Sequence, residues 1–324
     1  MLTEADVPLA PLTTLRIGGP AHELVTCTSQ ADLIEAVRPG SLVLGGGSNV
    51  VLPDEGVDRV VLVRSRGVDG LTVEAGEDWD TVVAALLDEG YAGLEALSGI
   101  PGTVGAAPIQ NIGAYGAEVA GLVSRVRVLD RVSGEVADLP AAACGFSYRH
   151  SAFKAAAGRW LVLSVTFDLP RGELSAPVRY AELAALLDVP MGAVAPVREV
   201  RSAVLALRAR KGMVLDPADP DSVSAGSFFT NPLVPMAPDG APSWPDRSGL
   251  VKVSAAWLIE QAGFGKGWGD GPVGLSTKHT LALVNRGGGT AADLIEVARQ
   301  VRDGVRHRFG VELVPEPVLV GNVL

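Results

Sequence analysis

Short runs of apolar residues with strand-like alternation open the chain, with one helix-like stretch between them. The strand pattern covers His22 to Thr28, Leu42 to Leu44 and Val60 to Val63. Ser29 followed three residues later by Asp32 is typical of a helix N-terminus and predicts a helix as far as Arg38. This segment is therefore predicted to form a small β-α-β unit.

The middle of the chain also alternates strand-like and helix-like segments. A predicted strand at Leu71 to Ala75 precedes an amphipathic helix that begins at Asp78 and ends at Gly90. Val123 to Val132 and Val136 to Leu139 are separated by a polar turn and predict a hairpin. A further strand is predicted at Trp160 to Leu169, so the pattern indicates a mixed α+β domain.

Helical periodicity dominates the last part of the chain. It predicts helices at Tyr180 to Leu187, Val197 to Arg210, Ser254 to Ala262 and, with Asp293 as a reciprocal cap, Thr290 to Gly310. A strand is predicted at Thr280 to Val284. Residues 233–249 are rich in Pro, Gly and Asp and are predicted to form a long surface loop. The last module is therefore predicted to be α/β.

Residues 98–116 carry almost no charge and have a glycine every few positions. Glycine permits positive φ and close approach of a ligand, while Pro101 and Pro108 stiffen the backbone. The spacing matches neither a Rossmann turn nor a P-loop. It fits a buried glycine-rich crossover or a wall of backbone against a large polar cofactor. The adjacent amides of Gln110 and Asn111 need partners in this apolar stretch and favour the cofactor.

A second glycine-rich segment, Gly45-Gly46-Gly47-Ser48-Asn49, follows the predicted strand at Leu42 to Leu44. Successive N–H groups in such a turn can form a concave site for a pyrophosphate. A tight glycine turn without a ligand explains the same residues. This motif alone therefore leaves both interpretations open.

The composition narrows the function classes. With 324 residues, 48% of them hydrophobic and 20% charged, the chain is typical of a soluble globular protein of two or three modules. A formal charge of -10 argues against a nucleic-acid surface. No apolar run is long enough for a bilayer and no basic leader opens the chain, so we expect no membrane association and a cytoplasmic location. Cys27 and Cys144 lie far apart and predict neither a disulfide nor a metal site.

Six motifs occur in one order: Thr14-Leu15-Arg16-Ile17-Gly18-Gly19, the Gly45 to Asn49 turn, the stretch that ends in Gln110-Asn111-Ile112-Gly113-Ala114-Tyr115-Gly116, Ser147-Tyr148-Arg149, Gly226-Ser227-Phe228-Phe229-Thr230-Asn231-Pro232, and Pro315-Glu316-Pro317. Each motif alone is weak evidence, and the Ser-Tyr-Arg segment could equally be an ordinary loop with a solvated arginine. In register from about Leu12 to about Gly321, the six resemble the UDP-N-acetylenolpyruvoylglucosamine reductases, FAD enzymes of bacterial peptidoglycan precursor synthesis.

This resemblance implies an α+β architecture: an FAD-binding fold of the vanillyl-alcohol-oxidase (PCMH) type with two subdomains, followed by a C-terminal α/β substrate-binding domain. The implied divisions are 1–66, to which the tail 316–324 returns, then 67–205 and 206–315. Tyr180 and the Gly-Ser-Phe-Phe sequence match the longer form of the family, in which a tyrosine loop closes over the nucleotide.

The resemblance also assigns roles to residues. Those expected to line FAD are Gly45, Gly46, Gly47, Ser48, Asn49, Ser98, Gly99, Ile100, Pro101, Gly102, Gly105, Ala106, Gln110, Asn111, Gly113, Ala114 and Tyr115. Those expected to contact the substrate are Tyr148, Tyr180, Lys211, Asn231, Lys266 and His279, although His279 and Lys278 could equally be a strand-edge pair. No histidine lies in the FAD-lining motifs, so a covalent flavin link is not expected. Arg149, Ser227 and Glu316 fall on the catalytic positions.

The implied reaction passes hydride from NADPH to FAD and then to the enolpyruvyl group of UDP-N-acetylglucosamine enolpyruvate, which becomes UDP-N-acetylmuramate. Hydride addition places negative charge on the neighbouring carbon and its carboxylate. Arg149, a permanent planar cation, suits that charge. Ser227 is then the expected proton donor. Glu316 would polarise the carboxylate if protonated or orient Arg149 if ionised, and the sequence does not decide between the two.

Two other functions fit parts of the pattern. A flavin oxidase of the same fold would pass electrons to oxygen, but no evident base lies beside the expected flavin. A binding module without chemistry would not need Arg149, Ser227 and Glu316 together. We therefore expect an FAD-dependent reductase, active as a monomer, with NADPH and a UDP-sugar as its partners.

Overall fold

The computed structural model describes residues 1–246 and 248–324. The helices, in chain order, are α1 (Gln30–Ala36), α2 (Trp79–Asp88), α3 (Ala152–Ala155), α4 (Ala181–Leu186), α5 (Val197–Arg210), α6 (Ala255–Gln261) and α7 (Ala291–Phe309). Among the described residues, no helix combines the length and the apolar character that crossing a bilayer requires.

The strands, in chain order, are β1 (Leu2–Pro8), β2 (Pro20–Cys27), β3 (Leu42–Leu44), β4 (Val50–Val51), β5 (Val57–Val63), β6 (Val68–Asp69), β7 (Thr72–Glu74), β8 (Gly113–Ala114), β9 (Ala117–Glu118), β10 (Val123–Asp130), β11 (Val136–Pro140), β12 (Trp160–Phe167), β13 (Ser224–Ser227), β14 (Leu233–Val234), β15 (Ser243–Pro245), β16 (Val251–Val253), β17 (Val273–Leu275), β18 (Ala282–Asn285) and β19 (Val318–Leu319).

The chain divides into two compact units. The first contains Met1–Val7, Ala21–Gly46 and Asp58–Arg210, and the second contains Pro8–Pro20, Gly47–Val57 and Lys211–Leu324. The division into three domains after residues 66 and 205 stays a prediction. Both units mix helices with strands, as the sequence pattern predicts.

Two larger sheets build the first unit, in the orders β1-β2-β5-β3 and β11-β10-β12-β7-β6. The predicted strands and helix of the β-α-β segment occur as β2, α1, β3 and β5, and the three strands belong to one sheet. β3 and β5 pair in parallel, with Leu42 opposite Val60. β10 pairs antiparallel with both β11 and β12, so the predicted hairpin and the predicted strand after it form one sheet.

The first unit's core lies between these sheets and α2. Trp79, the first residue of α2, is buried and packs edge-on against Phe167, with ring centroids 6.0 Å apart. Its indole N–H donates to the Leu97 carbonyl at 2.9 Å, so the one polar atom of this large side chain is satisfied. This bond also ties the segment that enters residues 98–116 to the core. A smaller cluster packs α4 against α5 around Leu183, Val204 and Leu207.

The second unit contains the sheets β13-β18-β17 and β14-β16-β15 and the pair β19-β4. The strands of the two sheets pair antiparallel, whereas β19 runs parallel to β4 with Val318 opposite Val50. Phe228 and Phe229 are both buried, with ring centroids 5.1 Å apart. The end of β13 is therefore fixed in the core of this unit.

The apolar face of α7 covers the second unit's core. Leu294, Ala298, Val301 and Val305 follow helical spacing and are each 0% exposed. Burial of each large aliphatic side chain contributes about 1.5–3 kcal/mol. The predicted capping box is confirmed: Thr290 Oγ1 accepts from the N–H of Asp293, whose carboxylate accepts from the N–H of Thr290.

The strands β1, β14, β15 and β17 were not predicted from the sequence. The predicted loop at 233–249 contains β14 and β15, which both pair with β16, while Arg247 within it lies outside the described residues. Strands as short as β14, β15 and β17 carry too few residues for a periodic signal, and their partners decide their structure.

Asp54 makes a stability prediction possible. Its two carboxylate oxygens accept from the N–H groups of Ala291 and Ala292, the first two residues of α7, at 2.8 and 3.0 Å. Asp54→Ala removes both acceptors and a favourable charge at the helix N-terminus, so we expect the free energy of unfolding to fall by about 1 kcal/mol. A urea titration measures this, with the exposed neighbour Glu55→Ala as the control. Equal effects of the two variants would contradict the capping role.

Candidate functional site

The two glycine-rich segments meet in the first unit, directly after β3. A Cβ built on Gly46 would lie 2.6 Å from the Cα of Gly102, and one on Gly45 would lie 2.6 Å from Thr103 Oγ1. Real Cβ atoms essentially never come so close, so this approach of backbone to backbone requires glycine. The structure therefore joins two motifs that lie more than fifty residues apart in the sequence.

Main-chain hydrogen bonds hold the 102–105 segment in place. The N–H of Trp79 donates to the Gly102 carbonyl at 3.0 Å, and Gly105 donates to the Ala75 carbonyl at 2.9 Å. A Cβ on Gly105 would lie 2.5 Å from the Cβ of Ala75. The segment is thus anchored between the end of β7 and the start of α2.

Arg64, which directly follows β5, fixes the glycine segment that begins at Gly45. Its Nη1 donates to the Gly45 carbonyl at 3.0 Å and to the Val63 carbonyl at 2.8 Å. Burial, with a smaller contribution from Arg66, lowers the pKa of Arg64. The Gly45 peptide therefore has a defined orientation. Sequence reasoning missed Arg64, because nothing in its local pattern points to a glycine nineteen residues earlier.

Two buried hydroxyl groups accompany these glycines. Ser98 in the first unit is 0% exposed, and its Oγ has no hydrogen-bond partner among the described residues. Thr14 in the second unit is also buried with an unpartnered Oγ1, while its N–H donates to the Gly47 carbonyl at 3.1 Å. Buried hydroxyl groups normally have partners, so both positions point to a bound ligand. Thr14 was missed as a site residue, although its motif contributed to the family resemblance.

The Arg149 side chain is hydrogen-bonded to the C-terminal part of the central glycine stretch. Its Nη2 donates to the Gly113 carbonyl at 2.9 Å and its Nη1 to the Asn111 carbonyl at 3.3 Å. The backbone of Arg149 has φ 53°, which is uncommon for a residue with a side chain. Lys154 Nζ donates to the Arg149 carbonyl at 3.2 Å and supports this conformation. The structure therefore brings the predicted catalytic arginine to the predicted cofactor-lining segment.

Asn111 connects the central glycine stretch to the loop that carries Arg149. It is 0% exposed, and its Nδ2 donates to Glu118 at 3.0 Å and to the Ser147 carbonyl at 2.9 Å. Its Oδ1 accepts from the N–H of Ala120 at 3.0 Å. The Asn111 side chain therefore finds its partners within the protein, in contrast to the expectation that its amide needs a cofactor. It holds the hairpin β8–β9 and the Arg149 loop together.

Two tyrosines pack against each other at the tip of that hairpin. The rings of Tyr115 and Tyr180 are 5.2 Å apart in an edge-on arrangement. Burial raises the pKa of Tyr115 to about 12, whereas Tyr180, which precedes α4, is 37% exposed. The predicted nucleotide-side tyrosine thus lies against the predicted FAD-lining stretch.

Ser227 and Glu316 lie on neighbouring segments of the second unit. The N–H of Glu316 donates to the carbonyl of Phe228 at 2.7 Å, and the N–H of Thr230 donates to the carbonyl of Val314 at 3.0 Å. These bonds make the Pro-Glu-Pro tail antiparallel to the end of β13. Both Ser227 and Glu316 are half-buried. Gly226 has φ 71°, which explains the glycine immediately before Ser227.

The second half of the Gly45 to Asn49 turn contacts the same tail. Asn49 Nδ2 donates to the Glu316 carbonyl at 3.4 Å, and the Asn49 carbonyl accepts from Val318 at 3.0 Å. A Cβ on Gly47 would overlap the Leu12 carbonyl. Ser227, Glu316 and Asn49 therefore form one local cluster in the second unit, whereas Arg149 belongs to the first unit.

The remaining predicted substrate residues have different surroundings. Asn231 Oδ1 accepts from the N–H of Ala255 at 2.9 Å, so part of its amide is used at the start of α6. The half-buried His279 donates its N–H to Ser276 Oγ at 3.1 Å. Lys278 forms an ion pair with Asp219 at 2.7 Å, and not a strand-edge pair with His279. The other three are Tyr148 and Lys211, both half-buried, and the exposed Lys266.

Comparison with known proteins shows the family of this chain. Residues 21–139 match an FAD binding domain, and residues 217–320 match the C-terminal domain of UDP-N-acetylenolpyruvoylglucosamine reductase. Reductases of that name from Thermobifida fusca and Salinispora arenicola are 51% and 53% identical to this chain. The matches cover 98% and 99% of this chain and 98% and 96% of the relatives.

A solved structure supports the same assignment. The crystal structure of UDP-N-acetylenolpyruvylglucosamine reductase from Thermus caldophilus matches with a TM-score of 0.70 and 28% identity, over 98% of each chain. This match covers both units, and the FAD-binding fold expected from the sequence is confirmed. The chain therefore belongs to the UDP-N-acetylenolpyruvoylglucosamine reductase family and is an FAD-containing oxidoreductase.

Proposed function

We propose that this protein uses NADPH to reduce the enolpyruvyl group of UDP-N-acetylglucosamine enolpyruvate, giving UDP-N-acetylmuramate for peptidoglycan synthesis. The observation that carries the proposal is the hydrogen bond from Glu316 to the Phe228 carbonyl, because it places Ser227 and Glu316 side by side in a chain of this family. A proton donor and a carboxyl group together fit protonation of an enolate carbon.

The residues that would hold FAD are those around the contact of the two glycine segments. FAD, when bound, supplies the group that accepts hydride from NADPH and delivers it to the substrate. The main chain at Gly45–Gly46 lies directly against that at Gly102–Thr103. Among the described residues, the buried hydroxyl groups of Ser98 and Thr14 have no hydrogen-bond partner. These features fit a large polar cofactor, and we add Thr14 to the predicted FAD-lining residues.

Arg149 would hold the substrate's carboxylate. Two carbonyl groups, those of Gly113 and Asn111, fix its guanidinium group, and the Lys154 contact supports its backbone. A cation fixed before the reaction stabilises charge that develops on the carboxylate without the cost of reorganising during the step. The bidentate geometry that guanidinium offers to carboxylates makes lysine a poor replacement.

Ser227 would donate the proton to the carbon next to the carboxylate. Because Gly226 adopts a positive φ and Phe228 is buried, the backbone on both sides of Ser227 is fixed. Asn49 and Phe228 bind the backbone of Glu316 on its two sides, through its carbonyl and its N–H. The carboxyl group of Glu316 would then polarise the enolate or orient Arg149.

The other contacts belong to substrate binding. Tyr148, Tyr180, Lys211, Asn231, Lys266 and His279 are the proposed residues. Lysines suit the diphosphate of a nucleotide sugar because their charge is compact and mobile. Asn231 uses its Oδ1 for Ala255, which leaves its Nδ2 as the donor for substrate.

An anaerobic absorbance spectrum tests the whole proposal. We expect a yellow protein that bleaches on addition of NADPH and regains its colour when UDP-N-acetylglucosamine enolpyruvate is added. Reoxidation by air but not by this substrate would favour a flavin oxidase instead. A colourless protein that cannot be reconstituted with FAD would refute the FAD site.

A glycine substitution tests the contact of the two glycine segments. Gly46→Ala places a methyl group against the Gly102 backbone, so we expect the segments to separate and the purified protein to lose most of its FAD. The flavin absorbance per protein measures the loss. Gly121→Ala is the matched control, because a Cβ there meets nothing within 4 Å. Full FAD content in Gly46→Ala would contradict the role of this contact.

A serine substitution separates the two half-reactions. Ser227→Ala removes a proton donor that acts only on the substrate, so flavin reduction by NADPH should keep its rate. Reoxidation by the substrate should slow by about 10²–10⁴-fold. Rapid-mixing absorbance measures both rates, with Ser243→Ala in the exposed strand β15 as the control. Equal slowing of both half-reactions would show that Ser227 is not the proton donor.

A further inference from the structure

Three charged side chains hold the main chain at Gly99 in the central glycine stretch, two of them directly and the third through Asp80. The N–H of Gly99 donates to Asp80 Oδ1 at 2.6 Å, and its carbonyl accepts from Arg208 Nε at 3.0 Å. Arg201 binds both carboxylate oxygens of Asp80, at 2.6 and 2.9 Å. We call Asp80, Arg201 and Arg208 the Gly99 clamp. Asp80 comes from α2. Arg201 and Arg208 come from α5, where they lie seven residues, or about two turns, apart.

The clamp lies in a part-buried environment in which its hydrogen bonds are strong. Burial by itself would raise the pKa of Asp80, but the hydrogen bonds from Arg201 and Gly99 outweigh it and the pKa is lowered. The carboxylate therefore stays ionised and acts only as an acceptor. Arg208 is 8% exposed. Bonds between an ionised acceptor and N–H groups are about twice as strong as neutral ones.

The position of Gly99 permits no other residue without strain. Its φ is 70°, and a Cβ there would lie 2.7 Å from Leu205 Cδ2 and 3.3 Å from the Arg208 side chain. Its neighbour Ser98 carries the fully buried hydroxyl that has no partner in the protein. The Ser98–Gly99 peptide, whose N–H Asp80 binds, therefore restrains the backbone that carries the Ser98 hydroxyl.

We propose that Asp80 and Arg201 are positioning residues for the cofactor: through the Gly99 peptide they place the Ser98 hydroxyl for a hydrogen bond to bound FAD. This inference rests on the proposed FAD site. Neither residue belongs to the glycine motifs, and neither contacts the cofactor itself in this assignment. Their ion pair supports the glycine-rich main chain at Gly99.

The same two helices contain a natural control for this proposal. Asp88 at the end of α2 and Arg198 near the start of α5 form an ion pair at 2.8 Å, with side chains 64% and 72% exposed. The pair links the same helices through the same residue types. Its side chains are largely exposed, so the pair contributes little to stability. A comparison of Asp80→Asn with Asp88→Asn therefore separates loss of the clamp from loss of a helix–helix ion pair.

The test measures FAD binding without any substrate. Apoprotein of each variant is titrated with FAD, and the visible circular dichroism of the bound flavin reports its surroundings. For Asp80→Asn we expect the FAD dissociation constant to rise about tenfold, the effect of one weakened charge-assisted hydrogen bond, with an altered dichroism spectrum. Arg201→Gln should give the same changes, and the double variant should not exceed either single one, because the two residues act as a unit. Asp88→Asn should bind FAD as the unmodified protein does.

Each other outcome has a defined meaning. If Asp80→Asn only lowers the thermal unfolding temperature of the apoprotein, with an unchanged dissociation constant and dichroism spectrum, the pair is structural and the proposal is overturned. If Asp80→Asn does not fold, Arg201→Lys keeps the charge but loses the two-point contact. It should then raise the dissociation constant by a smaller factor, and no change would overturn the proposal. An unmodified protein that binds no FAD would refute the cofactor site itself, a result distinct from both.

Discussion

The close approach of two backbones, at Gly46 and Gly102, is the constraint on which the first unit's site depends. No side chain fits between these segments, so glycine is required at a cost in chain entropy of about 0.5–1 kcal/mol each relative to alanine. Main-chain bonds to Ala75, Glu77 and Trp79 offset that cost and keep the 102–105 segment rigid. The Arg64 bond does the same for the Gly45 peptide. Flexible residues are thus built into a stiff surface.

The backbone of Arg149 is likewise held in an unfavourable conformation by hydrogen bonds that offset its cost. A left-handed backbone at a residue other than glycine costs about 1–3 kcal/mol. The structure keeps Arg149 there because Asn111, Gly113 and Lys154 all bind the residue or its loop. The result is a cation whose side chain and backbone are both fixed before any substrate arrives. Rigid support of this kind is what the proposed role of Arg149 would require.

Local signals in the sequence predicted the elements whose causes are local. The caps at Ser29 and Thr290 occur as predicted, because a cap involves residues only three apart. The helices predicted to begin at Asp78 and Ser254 are likewise capped by those residues. The glycine motifs were recognisable for the same reason, and their order identified the family.

Long-range interactions could not be predicted from pattern. Asp80 and Arg201 are 121 residues apart, and nothing near either residue marks it as a partner of Gly99. Asn111 shows the opposite error. Its amide needed partners, as the sequence indicated, but the structure supplies them from Glu118, Ser147 and Ala120 and not from a cofactor. The short strands β14, β15 and β17 were missed because their pairing, and not their composition, makes them strands.

The pairing of β4 with β19 has a consequence for how the protein folds as it is made. Asn49 and Glu316, at the start of this pairing, are separated by 267 residues. At about 5–20 residues per second, a ribosome needs roughly 13–53 s to synthesise the intervening chain. During that time β4, and Asp54 with its bond to α7, have no partner to complete their structure. The second unit can therefore close only after β19 has been synthesised, whereas all segments of the first unit have been synthesised by residue 210.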